Sequence, residues 1–259
     1  MTDEQPDLFD LTGRTALVTG SSRGIGQVLA GGLARAGAYV VLHGRDEAAL
    51  SAARAALEQA GAQGVRTVSF EVTDSDAVTA GIAEVETETG GIDILVNNAG
   101  IQRRAPFADF TVADWNDLVA VNLTSAFLVG QQVARAMISR GRGKIINIGS
   151  VQTQLGRPGI APYAATKGGI GMLTKGMCAD LAPYGICVNA LAPGYFATEL
   201  TSALVADEEF SAWVRTRTPA GRWGQVEDLV GAAVFLASAA SDFVNGQILY
   251  VDGGMTAVV

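Results

Sequence analysis

Short apolar runs alternate with longer helical patterns along the whole chain, and this alternation constrains the fold more than any other feature. The apolar runs are 15–18, 39–43, 65–70, 94–96, 144–148, 186–190 and 248–251. Between them lie 27–35, 47–59, 75–88, 112–139, 163–181 and 226–237, rich in Ala and Leu at helical spacing. Strands this apolar, each followed by a helix, must be parallel and covered on both faces. The expected fold is therefore α/β: a doubly wound parallel seven-stranded sheet with helices on both faces. No linker-like stretch and no internal repeat interrupts the pattern, so residues 1–259 read as one domain. The alternation relaxes only after Gly194. Residues 195–222, with Arg215, Arg217 and Arg222, are expected to form short helices or a flap over a site.

Composition narrows the function classes. With 259 residues, 49% of them hydrophobic and 17% charged, the chain can build a core without disulfides or metal. Its 18 Lys and Arg against 26 Asp and Glu, a formal charge of −8, argue against a nucleic-acid partner, which needs a basic surface. Cys178 and Cys187 lack metal-type spacing and His43 is the sole histidine, so no metal site is expected. Asp3, Glu4, Asp7 and Asp10 stand where an export signal would be basic and apolar, and the longest uncharged stretch, 181–198, holds two prolines. The expectation is a cytoplasmic protein without membrane contact.

The first strand runs into Thr19-Gly20-Ser21-Ser22-Arg23-Gly24-Ile25-Gly26, which opens a helix. Gly20 permits the tight turn, Gly24 lets backbone approach a pyrophosphate, and Gly26 allows close packing of helix on sheet, with free N–H groups and the helix dipole facing the anion. Three residues rather than one separate the first two glycines. That variant resembles the short-chain dehydrogenase/reductase family, and with it a Rossmann-type fold. Further motifs agree over residues 11 to 254: Asn97-Asn98-Ala99-Gly100 after the fourth strand, Asn122 in a long helix, Ser150 thirteen residues before Tyr163, Tyr163-x-x-x-Lys167, and Pro193-Gly194 with Thr198 four residues on. The resemblance implies that the glycine turn, including Ser22, Arg23 and Ile25, holds the dinucleotide. It assigns Glu71 and Val72 to the adenine pocket, although the family more often has Asp at the first of these. Asn98, Ala99, Gly100, Pro193, Gly194 and Thr198 complete the cofactor site by the same resemblance.

The chemistry also follows from the residue types. Tyr163 and Lys167, four apart, share one helix face, which sets an ammonium beside a phenol. A nearby cation favours the phenolate and should lower the phenol below its ordinary pKa, so Tyr163 can exchange a proton with a substrate oxygen. Ser150 would hydrogen-bond that oxygen while hydride passes to or from a nicotinamide. By resemblance, Lys167 also holds the nicotinamide ribose and Asn122 holds a water that links Lys167 to solvent. Singly, each has a plainer reading: Tyr163 a packed aromatic, Lys167 a solvated charge, Ser150 a strand-end cap, Asn122 a helix kink. All four together beside a phosphate loop point to catalysis. For the cofactor, the acid that selects NAD falls on Gly44, while Arg45 and Arg23 offer cations to a 2′-phosphate, and Asp46 reads as the N-cap of the following helix. NADP(H) is the expected cofactor. His43 reads as an adenosine-side contact or a buried residue.

Substrate signals lie after Gly100. Ile101-Gln102-Arg103-Arg104 places two guanidinium groups near the cofactor site, which suits an anionic substrate, although both could be solvated surface charges. The run, with Gly176 to Leu181 and Ala192 to Leu200, resembles the gluconate 5-dehydrogenase group of the family. That resemblance implies reversible reduction of 5-dehydro-D-gluconate to D-gluconate, a small anionic or polyhydroxylated carbonyl substrate, with Arg104 on the carboxylate, Ser150, Gln152 and Tyr163 lining the pocket, and Tyr195 opening the flap. A 3-oxoacyl-carrier-protein reductase remains open. Its basic docking positions fall on Gly141 and Tyr184, with Arg140 and Arg142 flanking the first. A broad carbonyl or polyol reductase and a non-catalytic dinucleotide-binding protein also stay open. The family resemblance further implies a homotetramer, with a dimer possible.

Overall fold

A computed structural model describes residues 7–259, so Asp3 and Glu4 lie outside the described residues. The strands are β1 (Thr15–Val18), β2 (Tyr39–Gly44), β3 (Val65–Ser69), β4 (Ile94–Asn97), β5 (Gly143–Ile148), β6 (Ile186–Pro193) and β7 (Ile248–Val251). The helices are α1 (Gly24–Arg35), α2 (Glu47–Gln59), α3 (Ser75–Thr89), α4 (Val112–Val119), α5 (Ser125–Arg140), α6 (Ala161–Leu181), α7 (Ser202–Ala206), α8 (Glu208–Arg217) and α9 (Val230–Ala237). All strands pair in parallel in one sheet of order β3-β2-β1-β4-β5-β6-β7. The order reverses between β1 and β4. Connections leave these two strands in opposite directions, which opens a crevice at their carboxyl ends.

The two-residue period of the strands divides the core. Ala16, Val18, Val40, Leu42, Ile94 and Val96 face Leu29 and Leu33 of α1, Leu50 of α2 and Leu236 of α9. Their neighbours Leu17, Val41, Leu95 and Ile145 point the other way, onto Val78 and Ile82 of α3 and Val129, Val133 and Met137 of α5. Because both faces are covered, the strands read as continuous apolar runs rather than alternating ones.

Two predicted helices are divided. The stretch 112–139 is α4 and α5 joined by a π-helical turn at Ala120–Thr124, which holds Asn122. The extra residue in that turn accompanies an inward-facing amide bonded to a neighbouring loop, a constraint invisible to helical periodicity. The stretch 226–237 opens with a 3-10 turn, Val226–Leu229, capped by Asp228, whose carboxylate accepts the Gln225 N–H at 2.9 Å. Elsewhere the differences are at element ends: α6 starts at Ala161 with Pro162 in its first turn, and β6 extends to Pro193. Asp46 does cap α2, accepting from the Ala49 N–H at 3.0 Å. Residues 195–222 hold a 3-10 turn at Glu199–Thr201, then α7 and α8.

Candidate active site

The crevice at the carboxyl ends of the strands opens into a cavity of about 510 Å³. Its floor is the glycine turn between β1 and α1. Gly20 and Gly24 take φ of +62° and +58°, a region that L side chains avoid. A Cβ on Gly26 would stand 2.4 Å from Asn98 Nδ2 and 2.5 Å from the Gly20 carbonyl. Glycine is needed there because Asn98 crosses over the turn and donates to the carbonyls of Thr19 and Gly20, both at 2.9 Å. Thr19 Oγ1 in turn accepts the backbone N–H groups of Asn98 and Ala99 at 3.0 and 3.1 Å. These bonds weld the loops after β1 and β4 into one rigid floor. Thr19 opens the glycine motif in the sequence but was not among the expected site residues.

Ser150, Tyr163 and Lys167 line this cavity together. Ser150 follows β5 and caps a short 3-10 turn, its hydroxyl donating to Gln152 Oε1. Lys167 is buried and donates to the Ile148 carbonyl at 2.7 Å, and burial pulls its ammonium down to about 8. Its Nζ stands 5.7 Å from the Tyr163 ring centroid. The phenol does not follow the expected direction. Burial pushes the Tyr163 hydroxyl above its ordinary pKa, outweighing the Ser150 hydrogen bond and the Arg104 charge that favour the phenolate. Sequence spacing could measure the distance between two side chains, but not the water that packing removes from both.

Asn122 sits behind the cavity rather than in its lining. Its Oδ1 accepts the Ile101 N–H at 2.7 Å, and its Nδ2 donates to the Ile101 carbonyl at 3.0 Å and to Thr166 at 3.4 Å. The π-helical turn thus anchors the loop that carries Gln102, Arg103 and Arg104. Arg103 turns outward, within 3.4 Å of Asp114 and 3.8 Å of Asp117 on α4. Arg104 turns into the cavity, its charge disfavoured by partial burial and by the neighbouring Arg157. Arg157 was missed in the sequence. It lies in Gly156-Arg157-Pro158-Gly159, a turn that brings it back toward Ser150, seven residues earlier.

Gln152 and Tyr195 complete the wall, Gln152 Nε2 donating to the Tyr195 hydroxyl at 3.4 Å. Tyr195 stacks edge-on against Phe210, Trp213 and Trp223 at centroid distances of 5.6 to 5.9 Å. Phe196 bridges to Gly224, so the two ends of the 195–222 segment are tied, and its first part, as far as Leu204, lines the cavity. Pro193, Gly194 and Thr198 line the same space.

The remaining predicted cofactor residues lie outside this cavity, beyond β2. Ser22 packs beside Gly44, and Arg45 Nη1 reaches Glu71 at 3.0 Å across an exposed surface. Burial pushes the Glu71 carboxyl up, but the Thr73 amide, Thr73 hydroxyl and Arg45 together bring it below its usual value. Val72 is buried. His43 is a buried clasp: its Nδ1 accepts the Gly20 N–H at 3.2 Å, and its Nε2 donates to the Phe70 carbonyl at 3.0 Å. Among the described residues no cluster of three or more His, Cys, Asp or Glu could hold a metal, and no helix is long and apolar enough to cross a membrane.

Comparison with known proteins adds three relatives. A family model described as enoyl-(acyl carrier protein) reductase matches residues 20–256. The gluconate 5-dehydrogenase of Gluconobacter oxydans (strain 621H) is 62% identical over 251 residues, 97% of this chain and 98% of the relative. The 5-keto-D-gluconate 5-reductase of Escherichia coli (strain K12) is 52% identical over 255 residues, 98% of this chain and 99% of the relative. Among solved structures, a gluconate 5-dehydrogenase from Burkholderia cenocepacia J2315 in complex with NADP and tartrate aligns with a TM-score of 0.95. It is 60% identical, with 98% of this chain and 99% of that one covered.

Proposed function

The chain belongs to the short-chain dehydrogenase/reductase family, and from that premise we propose that it interconverts D-gluconate and 5-dehydro-D-gluconate with NADP(H). It is an oxidoreductase acting between a sugar-acid hydroxyl and ketone. The observation that carries the finer reading is that one cavity holds Ser150, Tyr163, Lys167, the glycine turn and the inward-facing Arg104 together.

The residues present fit the cofactor. A Cβ on Gly24 would meet nothing within 4 Å, and Arg23, at the N-cap of α1, makes no side-chain cap bond, so the first-turn amides remain available to a pyrophosphate. Gly20, Ser22, Ile25 and Gly26 frame that cradle. Arg45 and Arg23 would supply charge for a 2′-phosphate, and Glu71 and Val72 would border the adenine. Asn98, Ala99, Gly100, Tyr163 and Lys167 would hold the nicotinamide ribose, with Pro193, Gly194 and Thr198 against the carboxamide. When bound, the cofactor supplies or accepts the hydride at the reacting carbon.

In the direction of reduction, Tyr163 gives its phenolic proton to the carbonyl oxygen, and in oxidation it takes the hydroxyl proton back. A phenol raised by burial is protonated at neutral pH, as the reduction requires. Ser150 holds the same oxygen by a hydrogen bond that strengthens as negative charge develops there. Lys167 lies beside the phenol and disfavours its reprotonation when charged. Asn122 acts through the Ile101 loop, fixing where Arg104 meets the substrate carboxylate. Gln152 and Tyr195 line the sugar, and residues 195–222 close over it.

Two flanking arginines weigh against an acidic carrier protein as substrate. Arg140 pairs with Glu86 at 2.6 Å and Arg142 with Asp93 at 3.2 Å, so both are engaged within the chain. We further assign a cytoplasmic homotetramer, for which the exposed Trp115, Phe127 and Met172 on α4, α5 and α6 offer apolar surface. The activity is tested by following NADPH and NADH oxidation with 5-dehydro-D-gluconate and, in parallel, with an acetoacetyl thioester. The expected result is that NADPH with the keto acid gives the highest rate. Turnover of the thioester alone would overturn the reading.

A further inference from the structure

We propose that Arg157 is a specificity-determining residue: with Arg104 it forms a two-guanidinium subsite that takes the carboxylate of the sugar acid and sets the preference for acids over neutral sugars. The inference rests on the cavity being a sugar-acid site and names the residue that makes it one.

Four observations place Arg157 in that role. It lines the same cavity as Ser150, Tyr163 and Arg104. The loops that carry the two arginines are joined, the Ala105 N–H donating to the Gly159 carbonyl at 3.3 Å, and both side chains line the one cavity. Neither arginine forms a salt bridge among the described residues, whereas the adjacent Arg103 faces two aspartates. Arg157 Nε is buried and has no hydrogen-bond partner. A buried donor on a cation is costly unless an acceptor arrives.

The chemistry follows from this arrangement. Two like charges set together in a partly desolvated pocket repel, as the effect of Arg157 on Arg104 shows. An entering carboxylate relieves that repulsion, and its two oxygens can each accept from one guanidinium. A neutral sugar of the same length would leave both charges uncompensated. Arg157 also lies over the Phe210 ring of α8, its guanidinium carbon 5.1 Å from the centroid. The planar group can stack there and remain directed at the cavity, which an ammonium could not reproduce. The contact also sets Arg157 under the flap, so the subsite lies where closure would shut out water.

The test uses the full-length protein with NADPH, comparing 5-dehydro-D-gluconate with the neutral ketohexose D-fructose, in wild type, Arg157→Ala and Arg157→Lys. Direct binding of D-gluconate, read by tryptophan fluorescence without turnover, gives a second measure, and NADPH affinity and the thermal midpoint report on folding. The expected result is that Arg157→Ala raises KM and the gluconate dissociation constant roughly ten- to a hundredfold. kcat should change far less, D-fructose should be little affected, and Arg157→Lys should restore only part of the loss. If wild type prefers the acid and Arg157→Ala binds it within twofold of wild type, this proposal fails while the function stands. Equal losses with both sugars would likewise overturn it, since they mark a structural role. A wild-type protein without preference for the acid would overturn both this proposal and the sugar-acid reading.

Discussion

His43 shows how far a single residue's environment can depart from its side-chain chemistry. It is the chain's sole histidine, yet burial pulls it down to about 4, and it holds the glycine turn as a neutral ring between Gly20 and Phe70. The Gly20 bond requires an unprotonated Nδ1. A base lowered on folding binds fewer protons folded than unfolded between about 4 and 6.5. Its contribution is therefore complete above pH 6.5 and is lost as pH falls toward 4, by about 3 kcal/mol across the interval. Urea unfolding of wild type and His43→Gln should show a stability difference that shrinks or inverts between pH 7 and 4.5. A difference independent of pH would mean that His43 does not titrate as described. Tyr163 makes the same point in the other direction. Its pairing with Lys167 is legible four residues apart, but its raised pKa depends on burial by parts of the chain distant in sequence.

At the scale of elements, the strand-to-helix turns carry the site and the helices carry the precision. The β1–α1 turn works because α1 enters close against the β4 loop, and Gly26 is the point of closest approach. Gly26→Ala would drive a methyl into Asn98 Nδ2 and the Gly20 carbonyl. We expect this to cost about 1–3 kcal/mol of stability by overpacking and to weaken NADPH binding at least tenfold. Equilibrium unfolding and fluorescence titration would measure the two effects, and unchanged cofactor affinity would show that the turn tolerates displacement. The break between α4 and α5 is the counterpart on the substrate side. Helical spacing predicts one continuous helix there, because a π-helical turn keeps the same kind of residues and adds only a local bulge. Its cause is tertiary: Asn122 reaches the Ile101 backbone and Thr166 of α6.

Across the whole molecule, function and reinforcement lie at opposite ends of the sheet. The cavity is at the carboxyl ends of the strands, whereas Arg140 clamps the other end, bonding Glu86 of α3 and the Ile92 carbonyl before β4, each at 2.6 Å. Both side chains of this pair are largely shielded, so breaking it should matter. Glu86→Gln is expected to lower unfolding free energy by about 2–3 kcal/mol while leaving kcat and KM near wild type. A large loss of activity would show that the two ends are coupled. Sequence alone determined the α/β class, the seven strands and the glycine turn, and it named Ser150, Tyr163 and Lys167 as candidates that the structure brings into one cavity, because period, turn chemistry and short spacings are local properties of a chain. It also identified Asp46 as a helix cap, for the same reason. The tertiary structure decided the rest: which of two adjacent arginines turns inward, that Arg157 joins it, that Asn122 anchors a loop, and that Arg45 meets Glu71. Each of these depends on segments tens of residues apart being brought within a few ångströms, and on the water excluded when they meet, which no local pattern encodes.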